Sequence, residues 1–272
     1  MRVTGQQPEQ LTAGVSARAR NGDSRSHAHN YAGHRNFIHS ATLSEVDRAL
    51  IATVRADLRA AADPVRAPQM QAYMKSAMPY LGVPVPDVRR IVRAAARVRP
   101  PVTTDVLAGT AAGLWREAAY REERYAATAL LGVPGVRRLQ TLELVPLYRE
   151  MITTGAWWDH VDEVAHRIGD LLRSYPAELR PTLSAWARDP DRWLRRASVI
   201  CQVGLRTSTD TEVLSDAIVA NLGDRDFFLR KAIGWALRDY ARTEPDWVRA
   251  FVAAHDLSPL SRREALKHLE PE

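Results

Sequence analysis

The sequence holds a single cysteine, Cys201, in 272 residues, so no disulfide can form within the chain and a disulfide-stapled fold is excluded. Long apolar runs are missing too: nothing approaches the ~18 consecutive apolar residues of a membrane span, and there is no apolar signal-peptide core. The chain is therefore expected to avoid membranes and to be cytoplasmic. Cys201, set among Ala197, Val199, Ile200 and Val203, reads as a buried core thiol. Also absent are a Gly-x-Ser-x-Gly nucleophile elbow, a phosphate-cradling glycine loop and a His-Glu-x-x-His zinc motif, which removes the support for serine-hydrolase, P-loop and metalloprotease readings. Lysine is scarce, at 75, 231 and 267 alone, so arginine supplies nearly all of the 38 basic residues that face 32 acidic ones. Arginine is the better phosphate clamp. The net charge of +6 fits a polyanionic partner and, taken alone, equally fits a protein that binds none.

Residues 1–42 are rich in Gly, Ser, Asn, Gln and His, with arginines at 18, 20, 25 and 35 and little apolar periodicity, and are expected to form a disordered basic tail. His27, His29, His34 and His39 lie there without cysteine or carboxylate partners at ligand spacing, so no metal site is expected. From Leu43 the pattern turns helical, with apolar residues spaced by three and four over 43–61, 86–98, 106–118 and 121–131. With 46% of residues apolar, the chain can build a sizeable core. Asp63-Pro64, Pro100-Pro101, Thr103 to Asp105, Ser174 to Pro176, Asp189-Pro190 and Glu244-Pro245 punctuate it as caps and turns. No strand pattern stands out, and short helices joined by tight turns predict an all-α helical solenoid over 43–272.

A repeat is visible by offset. Trp193-Leu194-Arg195-Arg196-Ala197 overlays Phe228-Leu229-Arg230-Lys231-Ala232 at a shift of 35, and Trp158 overlays Trp193 at the same shift. That period suits a two-helix unit, and stacked units curve into a concave face. With Trp158, Trp193 and Phe228 at phase zero, Asp162 falls at phase four, Arg196 at phase three and Trp235 at phase seven. These phases share roughly 100° of a helix surface. They form either a functional wall or simply a core face in which Arg196 pairs with Asp162. Ala197, Ile200 and Cys201 already offer that helix an apolar stripe, and burying the two charges costs several kcal/mol. Further basic residues recur nearby: Lys75, Arg195, Arg230, Lys231 and Arg238, then Arg262, Arg263 and Lys267. As a set on neighbouring repeats they suit a phosphate backbone.

Five separated segments then narrow the reading: Tyr73-Met74-Lys75, Trp157 to Asp162, Trp193 to Ala197, Phe227 to Trp235, and Leu260 to His268. Together, over about residues 68–269, they closely resemble the AlkD-type DNA alkylation repair family. The resemblance implies a HEAT-like solenoid that cradles double-stranded DNA and excises N3- or N7-alkylated purines by hydrolysing the glycosidic bond, with no metal or organic cofactor. It implies Trp158 and Trp235 as an aromatic pair, Asp162 as the catalytic carboxylate, Arg196 as a backbone clamp and Tyr73 as a lesion-side aromatic. The chain is accordingly expected to act as a monomer on the nucleoid. The competing readings are a helical scaffold for protein partners and a DNA-binding relative without catalysis, the retained Asp162 arguing against the second.

Overall fold

Prolines, aspartates and threonines cut this chain into short helices before any packing is considered. The computed structural model describes residues 45–269; the tail expected over 1–42, with its four histidines, lies outside the described residues. In chain order the helices are α1 (Arg48–Ala60), α2 (Arg66–Met74), α3 (Val85–Val98), α4 (Thr104–Arg116), α5 (Arg121–Leu130), α6 (Val145–Gly155), α7 (Trp158–Ser174), α8 (Pro176–Trp186), α9 (Arg192–Ile200), α10 (Thr211–Val219), α11 (Phe227–Tyr240), α12 (Pro245–Ala254) and α13 (Pro259–Leu266). No strand occurs among the described residues. Every expected cap or turn falls at a helix end or between helices.

Side-chain caps decide several helix starts. Asp47 accepts the Leu50 N–H at 2.9 Å, which delays α1 beyond the Leu43 start that periodicity suggested. Thr103 accepts from Val106 and lets α4 begin two residues early. Asp191, Asp210 and Asp226 cap α9, α10 and α11 in the same way, each satisfying N–H groups that a helix leaves without partners.

The odd-numbered helices α3, α5, α7, α9, α11 and α13 pack in series, each on the next. Behind them α4 covers α5, α6 covers α7, α8 covers both α7 and α9, and α12 covers α11 and α13. This two-helix stacking is the expected helical repeat. Its period is nearly constant: α7, α9 and α11 open at residues 158, 192 and 227, intervals of 34 and 35. One continuous core runs between the layers, from Leu50 and Leu58 through Trp115, Tyr148 and Ile168 to Val252 and Ala265. At Gly169 the packing is closest, since a Cβ there would collide with the Cys201 carbonyl oxygen across the α7–α9 contact. Cys201 is buried, and burial pushes its thiol up to about 12, which leaves it an inert core group.

Candidate active site on the inner helices

The helix starts correct the sequence alignment by one residue. Asp162, Arg196 and Lys231 are each the fifth residue of their helices, so they stand at equivalent points on three consecutive inner helices. The aromatic partner of Trp193 and Phe228 is not Trp158 but Trp157, whose ring lies 6.2 Å and 5.5 Å from theirs. Trp157, the residue before α7, and Trp158, its first residue, are both half-buried against the core. Trp235 is likewise half-buried against the core, on α11.

Arg196 and Asp162 meet as a two-pronged pair. Nε and Nη2 donate to the two carboxylate oxygens at 2.8 Å each, and Nη1 donates to the Phe228 carbonyl at 2.6 Å. The guanidinium thus ties α7 to α9 and α11. Arg196 is 6% exposed and the Asp162 side chain 17%. Of the two readings the sequence left open, the pairing of Arg196 with Asp162 is present. Bidentate pairing plus a carbonyl acceptor satisfies the guanidinium and offsets the desolvation. Burial pushes the Asp162 carboxyl above the usual carboxylate range, and the Arg196 hydrogen bonds and charge pull it back.

Three of the expected phosphate contacts, Arg196, Arg195 and Lys231, make contacts within the chain. Arg196 is committed to Asp162, and all its polar nitrogens are used internally. Arg195 donates to the carbonyls of Asp189 and Pro190 and to Asp224, bracing the turns before α9 and α11. Lys231 shares Glu264 with Arg238, and Arg230 is half-buried. Tyr73 at 76% exposure, Lys75, Arg262, Arg263 and Lys267 are exposed, and none of the four cations has an acidic partner among the described residues.

Sequence reasoning missed a buried polar network behind Trp158. Arg121 donates to both Asp159 oxygens, at 2.7 and 3.0 Å, to the Tyr125 hydroxyl and to Ser76 Oγ. Tyr125 donates to Asp159 at 2.6 Å and shares a 2.8 Å hydrogen bond with Tyr80. Burial opposes the Asp159 charge, yet the Arg121 guanidinium and the Tyr125 hydroxyl hold its carboxyl below the usual range. The next two residues of α5 act as ties as well. Glu122, fully buried, accepts the N–H groups of Leu81, Gly82 and Val83, and Glu123 accepts from Arg55 and Arg59 of α1. One helical turn therefore fixes α7, α1 and the loop that follows Tyr73 and Lys75. The signal available in sequence was Arg121-Glu122-Glu123 opening a helix, a pattern that ordinarily marks a solvated turn.

Among the described residues no group of histidine, cysteine and carboxylate side chains could hold a metal ion. No described helix is long and apolar enough to cross a membrane. What the site offers is a carboxylate locked in one orientation by an arginine, next to a half-exposed indole, on a rigid inner layer. Such a group can stabilise a developing positive charge and orient a water molecule.

The DNA alkylation repair enzyme family model matches residues 54–269. Among solved structures, a predicted DNA alkylation repair enzyme from Enterococcus faecalis superposes with a TM-score of 0.67 at 28% identity, over 78% of this chain and 98% of that one. No curated protein matches.

Proposed function

This chain belongs to the DNA alkylation repair enzyme family, and from that premise we propose that it is a glycosylase that excises N3- and N7-alkylated purines from duplex DNA, in the manner of the AlkD-type enzymes it resembles. The observation that carries the proposal is the Asp162 carboxylate, held two-pronged by Arg196 one turn beyond Trp158.

An alkylated purine carries a positive charge, so it leaves as a neutral base without needing a strong acid catalyst. The C1′–N9 bond of the nucleotide breaks, its electron pair neutralises the base, and the sugar becomes oxocarbenium-like. Asp162 stabilises that charge and orients a water whose oxygen bonds to C1′; the water's proton passes to the carboxylate and then to solvent. Trp158 and Trp235 present ring faces toward the cationic sugar and base, each contributing roughly 0.5–2 kcal/mol. Arg196 acts through Asp162 as a positioning residue, fixing which carboxylate edge meets the sugar. Tyr73 and Lys75 would meet the lesion side, with Arg262, Arg263 and Lys267 meeting phosphates and Arg230 and Lys231 between them. A site that grips backbone rather than enclosing the base in a pocket tolerates large adducts.

The test is release of free base from duplexes bearing 3-methyladenine, 7-methylguanine or a bulky N3-adenine adduct. Release from at least one is expected. Binding of duplex without release from any would leave a DNA-binding module and overturn the glycosylase reading.

A further inference from the structure

We propose that a recess between α3, the end of α5 and the middle of α7 is a pocket for one phosphodiester group of the DNA strand. The proposal rests on the duplex-DNA reading above and assigns residues outside that site. The recess, about 360 Å³, is walled by Arg89 and Arg93 of α3, Gly132 just past α5, and Glu163, His166 and Arg167 of α7.

Its charge favours an anion. Three guanidinium groups face one lining carboxylate, Glu163, which accepts from Arg89 at 2.6 Å and from Arg167 at 3.3 Å. Glu163 is the group that opposes an incoming phosphate, and it also holds two of the guanidiniums in place. Asp170 touches Arg167 at 3.4 Å and is not part of the lining. Arg93 is exposed and has no acidic partner among the described residues, so its positive charge is uncompensated in the wall.

Its hydrogen bonding is also incomplete. Arg167 Nε is buried without an acceptor, a state that costs free energy when nothing fills it. Gly132 brings the backbone against the same guanidinium: a Cβ there would sit 3.0 Å from Arg167 Nη2, so a larger residue would push the group out of position. Arginines with spare N–H groups in a small polar recess recognise phosphate oxygens by geometry as well as charge.

Placement selects a strand phosphate over a free one. His166 follows Asp162 by four residues on α7, the next position along that helix face, about 6 Å further on. A strand whose damaged sugar lies at Asp162 carries phosphates one or two nucleotides away to that distance, at about 3.4 Å of rise each.

The test is duplex binding by the full chain, followed by fluorescence anisotropy across salt concentrations, with single phosphates replaced in turn by neutral methylphosphonates. The wild-type protein is expected to lose affinity, on the order of 10-fold, at one phosphate near the lesion. Arg93→Gln is expected to weaken binding of the unmodified duplex, flatten the salt slope by about 0.9 and become indifferent to that methylphosphonate. Arg93 makes no ion pair among the described residues, so its loss should leave their fold intact; Arg167→Gln, with its unfolding temperature recorded, should give the same pattern. Folded variants of both that keep the wild-type slope and the wild-type positional sensitivity overturn the proposal. So does stabilisation of wild type, but not of Arg167→Gln, by inorganic phosphate when duplex binding of the two is the same, since the recess would then take free phosphate. Base release is not read here. A chain that passes this test yet releases no base loses only the glycosylase reading; one that releases base with an unchanged Arg93→Gln slope loses only the recess.

Discussion

Arg196 is the residue on which the inner layer turns. Its three polar nitrogens are spent on Asp162 and the Phe228 carbonyl, so its removal leaves a mostly buried carboxylate without its partner. Arg196→Met is expected to destabilise the fold by on the order of 3 kcal/mol, measured by urea unfolding, and to leave the salt slope of DNA binding unchanged. A flattened slope with unaltered stability would restore it to the phosphate contacts. His160 gives a second residue-scale expectation. Its ring is fully buried between Trp115 and Tyr125, neither nitrogen has a partner, and burial pushes it down to about 3. In the unfolded chain it takes up a proton near its ordinary value of about 6.5, whereas the folded chain stays neutral until about 3. Between those values the unfolded state binds the extra proton, so stability is lost as pH falls through that window. His160→Phe is expected to make the unfolding temperature fall less steeply from pH 7 to pH 5. An equal slope in both proteins would contradict this account.

Between elements, close approach and buried ties matter more than surface pairs. The α7–α9 contact at Gly169 has no room for a methyl group, because a Cβ would meet the Cys201 carbonyl rather than a side chain able to move. Gly169→Ala is expected to cost about 1–3 kcal/mol, and because the two helices carry Asp162 and Arg196, base release should fall with it even at temperatures where the variant is folded. Unaltered thermal unfolding would show that the helices can part freely. The opening of α5 works at the same scale, with Arg121, Glu122 and Glu123 each tying a different neighbour. Exposed pairs such as Arg249–Asp246 and Arg90–Asp87 contribute little by comparison.

Over the whole molecule, the architecture was legible because it is written in periodicity and punctuation, which act locally. Helix breaks at Asp63-Pro64, Ser174 to Pro176 and Glu244-Pro245 all hold, and the 35-residue repeat reappears as helix starts at 192 and 227. Phase was less legible. α9 buries Trp193, Leu194, Arg196, Ala197 and Ser198 in near succession, because neighbours lie on several sides of it. A helix enclosed in this way has no apolar stripe by which to tell a core face from a functional one. The Asp162–Arg196 pair was foreseeable as an alternative, since opposite charges at matching repeat positions can meet; that it would be buried depended on the Phe228 carbonyl, a backbone group that no side-chain pattern reveals. The recess at Arg89, Arg93 and Arg167 was illegible for a similar reason, since it joins residues about 75 positions apart that come together only because α3 and α7 both pack on α5.

The measurement closest to the central claim compares wild type with Asp162→Asn on a duplex carrying 7-methylguanine, reading DNA affinity and single-turnover base release on the same preparations. The amide keeps the size of the carboxylate but not its charge. Affinity is expected to stay within a few-fold of wild type while release falls by at least about 100-fold, in keeping with the removal of a charge that stabilises the transition state. Release by Asp162→Asn at the wild-type rate would contradict the assignment of this carboxylate to glycosidic bond cleavage.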